Sequence, residues 1–101
     1  ALWTLLAGGY AGSRLLETRK SRLVAGDDSP SGAAKYMVKD LGFAADIADA
    51  TGTHAALLPA LRGIFDEIVA TGLGDRDISV TRRLTAQRHA RTAGPAAHYA
   101  E

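Results

Sequence analysis

Ala33-Ala34-Lys35-Tyr36-Met37-Val38-Lys39-Asp40-Leu41-Gly42-Phe43-Ala44-Ala45-Asp46-Ile47-Ala48-Asp49-Ala50 is the stretch whose reading decides the fold. Met37, Leu41, Ala44 and Ala48 recur at i, i+4, i+7 and i+11, which lines one side of a 3.6-residue helix with apolar groups. Lys35, Lys39, Gly42, Asp46 and Asp49 fall on the other side. The spacing predicts a helix over 33–50 with that stripe buried, stopped at Thr51-Gly52-Thr53. No stretch of the chain alternates apolar and polar residues between turn residues, so strands are not expected.

Outward from this helix the same period returns. Towards the N-terminus, Gly26-Asp27-Asp28-Ser29-Pro30-Ser31-Gly32 is a loop rich in turn formers. Before it, Ser13 is placed to cap a helix over 13–25, with Leu15, Leu16, Leu23 and Val24 on one side and Arg14, Arg19, Lys20 and Arg22 on the rest. Residues 1–7 look like the end of a helix halted at Gly8-Gly9. Towards the C-terminus, Pro59 suits the first turn of a helix that runs to about Thr71, with Leu58, Leu61, Ile64, Phe65, Ile68 and Val69 as its core face. After the connection at 72–77, Ser79 is placed to cap a last helix over 80–90. Beyond Gly94-Pro95 a frayed tail is expected, so residues 1–93 form the domain and 94–101 the tail. The expected fold class is all-α, a small helical bundle.

Composition sets the outer limits. The 101 residues are 47% apolar and 23% charged, the balance of an ordinary globular domain. A net charge of +1 gives no field strong enough to gather nucleic acid or an anionic membrane. No apolar run approaches the ~20 residues that span a bilayer. Cysteine is absent, which rules out disulfides and thiolate chemistry and fits a reducing cytoplasm. A core of about a dozen side chains is small for the entropy of ordering the chain, so a partner surface is expected.

Few groups carry a chemical signal. Lys39 is the first. Its helix neighbours are Lys35, Tyr36, Gly42 and Phe43; none is acidic, and Lys35 and Lys39 repel mildly. A helix cation without a local partner can dock an anion such as a nucleotide phosphate, or can simply sit in water. Asp40 reaches Tyr36 or Phe43 along the helix and does not face Lys39, so alone it reads as a surface carboxylate or a loop cap. Ala7-Gly8-Gly9-Tyr10-Ala11-Gly12 nearly matches a dinucleotide-binding loop, but it lacks the first glycine and the β-α-β setting, and reads as a turn between helices. His54, His89 and His98 are too scattered for a metal site. Asp75 and Asp77 lack the glutamate of a calcium loop and read as caps. No serine has a histidine and an acid at hydrolase spacing. Arg82, Arg83, Arg88 and Arg91 form a basic stretch that reads as a solvated face or the positive end of a helix rather than a nucleic-acid contact.

Three blocks then read together. Gly8-Gly9-Tyr10-Ala11-Gly12-Ser13, Met37-Val38-Lys39-Asp40-Leu41-Gly42-Phe43-Ala44 and Gly72-Leu73-Gly74-Asp75-Arg76-Asp77-Ile78-Ser79 resemble, in order and spacing, the C-terminal domain of the β-hydroxyacid dehydrogenases. That family includes 3-hydroxyisobutyrate dehydrogenase and tartronate semialdehyde reductase. The resemblance covers about residues 1–85, and the second and third blocks are fairly specific as a pair. It implies the C-terminal part of a 6-phosphogluconate dehydrogenase-like helical domain. It implies an NAD(P)-dependent oxidoreductase acting on the β-carbon hydroxyl or carbonyl of a small acid. It makes Lys39 and Asp40 the cofactor-binding positions, Lys39 near NAD or NADP and Asp40 supporting that helix and its contacts, and gives Asp77 and Ser79 the turn into the last helix.

Two departures accompany it. Where the family usually has a phenylalanine near the nicotinamide, this chain has Gly32, so that contact is not carried over. The family's catalytic lysine lies on a long helix expected before Ala1, and the dinucleotide-binding domain is expected there too. No catalytic residue and no metal ligand is therefore assigned, and the chain alone is expected to be inactive. The expected partners are that domain and a second copy, since the family packs this domain between subunits; the alternative is a non-enzymatic helical dimerisation module.

Overall fold

The computed structural model describes residues 1–93. They form α1 (Leu2–Ala7), α2 (Arg14–Ala25), α3 (Tyr36–Thr51), α4 (Leu58–Ala70), a single 3-10 turn at Ile78–Val80, and α5 (Thr81–Ala93). The all-α expectation holds: the one sheet-like feature among the described residues is an isolated bridge between Ala33 and Asp77. The tail expected at 94–101 and His98 lie outside the described residues.

Local chemistry sets the helix ends. The Ser13 hydroxyl accepts the Leu16 amide at 3.1 Å and opens α2. Gly26 and Gly52 close α2 and α3 in the left-handed region, at φ 68° and 65°, where a side chain would be strained. Pro59 sits in the first turn of α4. No helix among the described residues is long and apolar enough to cross a membrane.

The core is small. Ala34, Leu41, Phe65, Ile68, Val80 and Leu84 are buried, and Met37, Leu58, Ile64, Leu73 and Ile78 pack against them. α3 lies on α4, and the 3-10 turn joins α2 to α5. The expected stripe of α3 needs one correction: Ala44 is exposed, and Ala45 takes its place between Leu41 and Ala48. The cause lies at the helix start. α3 begins at Tyr36, not Ala33, because the Ala34 amide is drawn to the Arg76 carbonyl at 2.8 Å and buries its methyl group there. On α2, Leu15 and Val24 are exposed and only Leu16 and Leu23 are half-buried. On α4, Leu61 and Val69 sit at the edge of the core rather than in it.

A backbone clasp joins the two long loops. The Lys35 amide donates to the Gly74 carbonyl at 2.9 Å, that of Ile78 to Gly32 at 2.8 Å, and that of Asp77 to Asp28 at 3.1 Å. The radius of gyration, 15.9 Å, exceeds the ~13 Å of a compact chain of this length. The accessible surface, 7388 Å², likewise exceeds the roughly 5,400 Å² expected for its mass.

Candidate functional site

α3 carries the residues singled out from sequence. Lys39 and Asp40 are both exposed. Neither makes a hydrogen bond or ion pair with another described side chain, so the reading of Lys39 as unpartnered stands. Its neighbour Lys35 is different. Its Nζ lies 2.5 Å from Asp75 Oδ1 and 5.8 Å from the centre of the Tyr36 ring. The hydrogen bond that Lys35 donates to Asp75 raises the Lys35 pKa, and the same bond lowers that of Asp75. Helix spacing could not show this pair, because the acid is 40 positions away in the chain.

The outer face of α3 is apolar as well. Tyr36, Phe43 and Ile47, at i, i+7 and i+11, are 59%, 58% and 65% exposed. Lys39 and Asp40 lie on opposite flanks of that line. A methyl group added at Gly42 would meet no atom within 4 Å, so the surface beside Lys39 is open. An ammonium with no competing carboxylate, beside two exposed aromatic rings, can receive an anion that also carries a flat ring.

The second cluster is buried and is built on Asp77, which is fully inaccessible. Its Oδ1 accepts the Gly32 amide at 3.0 Å and lies 3.4 Å from Arg19 Nη1; its Oδ2 accepts the Ser79 amide at 2.9 Å. Burial pushes the carboxyl up, but the amides of Ser79 and Gly32 and the Arg19 guanidinium outweigh it and hold it below the usual range. Asp77 thus caps the 3-10 turn that leads into α5. Ser79, expected as the cap of the last helix, instead donates its hydroxyl to the Asp27 carbonyl at 3.2 Å. Asp28, also buried, accepts from Arg83 Nη2 at 2.7 and 2.6 Å, with Arg76 at 3.8 Å. Sequence reading missed Asp28, since no local pattern connects residues 55 apart. The arginine stretch is largely absorbed inside the domain: Arg83 by Asp28, and Arg88 and Arg91 by Glu67. The two carboxylates of this cluster have their oxygens engaged, while Arg19 Nε is a buried donor without a hydrogen-bond partner among the described residues.

The glycine-rich run at 7–12 is the turn between α1 and α2, with no strand before it. Among the described residues no group of three or more acidic or histidine side chains could hold a metal ion.

Residues 1–85 match the family described as NAD-binding of NADP-dependent 3-hydroxyisobutyrate dehydrogenase. No curated protein matches the chain. Among solved structures, the 3-hydroxyisobutyrate dehydrogenase of Salmonella typhimurium superposes with a TM-score of 0.74 at 28% identity, over 82% of this chain and 29% of that one. The chain therefore spans less than a third of that structure's length.

Proposed function

The chain belongs to the NAD-binding family of NADP-dependent 3-hydroxyisobutyrate dehydrogenase, and from that premise we propose that it serves as the helical C-terminal domain of an NAD(P)-dependent 3-hydroxyacid dehydrogenase or semialdehyde reductase. Its part is to contact the cofactor and to pack against other subunits. The observation that carries this reading is Lys39: an exposed cation on a core-anchored helix, with no partner among the described residues and open surface beside it.

The residues fit a dinucleotide. Lys39 supplies a positive donor for a phosphate oxygen. Tyr36 and Phe43, a turn to either side, offer faces for a ring and shield it from water on one side. Asp40, on the opposite flank, keeps its charge away from the bound phosphate. Leu41 and Ala34 anchor the helix in the core, so Lys39 projects from a fixed base. The nicotinamide, when bound, supplies or accepts the hydride. This chain contributes no proton donor or acceptor to that transfer; its residues bind and orient.

Titration of the chain with NADPH and NADH tests the reading, by the fluorescence of the reduced nicotinamide. Weak binding is expected, with Lys39→Ala raising Kd about tenfold as one charge-assisted contact is lost. Equal Kd values for the two proteins would sink the assignment.

A further inference from the structure

We propose that Asp75 is a built-in competitor for the cofactor's phosphate: it holds Lys35 in the free domain and yields it when the phosphate arrives, so that Lys35 and Lys39 together form the anion site. The inference rests on the reading of Lys39 as a cofactor contact, and extends it to a second cation and to the group that regulates it.

Lys35 and Lys39 lie one helical turn apart on the same side of α3. Two lysines so placed repel each other, and the cofactor's diphosphate, with two negative charges in all, would remove that repulsion when bound between them. In the free domain Asp75 takes on part of this task. Its carboxylate reaches Lys35 Nζ, while Lys39 has no partner among the described residues.

The pair is arranged to exchange. Both side chains face water, Lys35 at 48% and Asp75 at 83% exposed. An exposed ion pair of this kind is weak and screened by salt. A diphosphate of greater total charge, held at the same time by Lys39, can therefore displace the carboxylate.

The base of Lys35 does not move with its tip. Its amide is bonded to the Gly74 carbonyl, and a Cβ at Gly74 would come within 3.3 Å of the Lys35 Cβ and 3.2 Å of Val69 Cγ2. A side chain there would press the Lys35 and Val69 side chains back by a few tenths of an ångström. The backbone of Lys35 is pinned against the loop that carries Asp75, while its four-carbon stem remains free to turn its ammonium from Asp75 towards Lys39.

The test is a double-mutant cycle read by NADPH titration of the 101-residue chain, with circular dichroism to confirm that each variant is folded. Asp75→Asn is expected to tighten binding about three- to fivefold, the range of an exposed pair, and Lys35→Ala to weaken it by a similar factor. In the Lys35→Ala background, Asp75→Asn should then have no effect, because its action passes through Lys35. If Asp75→Asn tightens binding equally in both backgrounds, Asp75 acts only as a distant charge and the proposal fails. It also fails if Asp75→Asn leaves Kd unchanged while Lys39→Ala weakens binding, and the reading of Lys39 then survives alone. An unchanged Kd in Lys39→Ala, or no NADPH binding in any variant, overturns both.

Discussion

At the scale of single residues, the domain depends on a carboxylate that never meets water. Asp77 collects two amides and a guanidinium from three separate parts of the chain. Asp77→Ala is expected to cost about 2–4 kcal/mol in denaturant unfolding, since it orphans the Gly32 and Ser79 amides together with Arg19. The pH dependence has a definite sign. The folded carboxyl lies below its ordinary value. Its contribution is therefore complete above the unfolded pKa of ~3.9 and is lost as pH falls through the folded value. Asp77→Asn should lose less stability than the wild type between pH 6 and pH 3; an equal loss would assign the acid sensitivity elsewhere. Part of this was legible in sequence. The Asp-x-Ser pattern at 77–79 announced the turn before α5, and the lack of a local acid singled out Lys39. Lys35 and Asp28 were not legible, because their partners are 40 and 55 residues away and only the folded clasp brings them together.

At the scale of elements, the helices follow from period and punctuation, but their phase does not. α4 illustrates it. All six of its apolar residues looked equivalent in sequence, yet Ile68 is fully buried and Val69 is 45% exposed. Ile68→Ala should cost about 2–5 kcal/mol and Val69→Ala under ~1 kcal/mol in the same unfolding experiment. Similar losses at both sites would mean that α4 is rotated from the position described. The same indeterminacy exchanged Ala44 for Ala45 on α3. A stripe of small residues constrains rotation weakly, and the docking of Ala34 against the loop at 74–77 decides it.

At the scale of the whole molecule, the surface is too large for the mass and carries too much carbon. Leu2 and Leu5 on α1 and Leu15 and Val24 on α2 are all more than 60% exposed. We propose that part of this exposed apolar surface, that of α1 and the Leu15 side of α2, is covered by a second copy, the self-association expected from the small core. Sedimentation equilibrium at micromolar concentrations should show a dimer. Leu5→Glu with Leu15→Glu should give a monomer of unchanged helicity, because neither side chain contributes to the core. A wild-type monomer would remove the proposal. That the core is small for its chain was legible in outline; which apolar side chains are left bare depends on how α2 rolls against the 3-10 turn.

The clasp has one more consequence. Lys35 enters the α3–α4 hairpin at the point where Gly74 leaves it, since the two are joined by a hydrogen bond. The hairpin is thus a closed excursion, leaving the rest of the chain and returning to the same spot. Its far end, residues 52–54, is exposed and belongs to neither helix. Extra residues spliced in there would lengthen a tip without moving the stem, at an entropic cost that grows only slowly with their number. In engineering terms, the connection between Thr53 and His54 is the port through which this domain can carry a tag or a reporter.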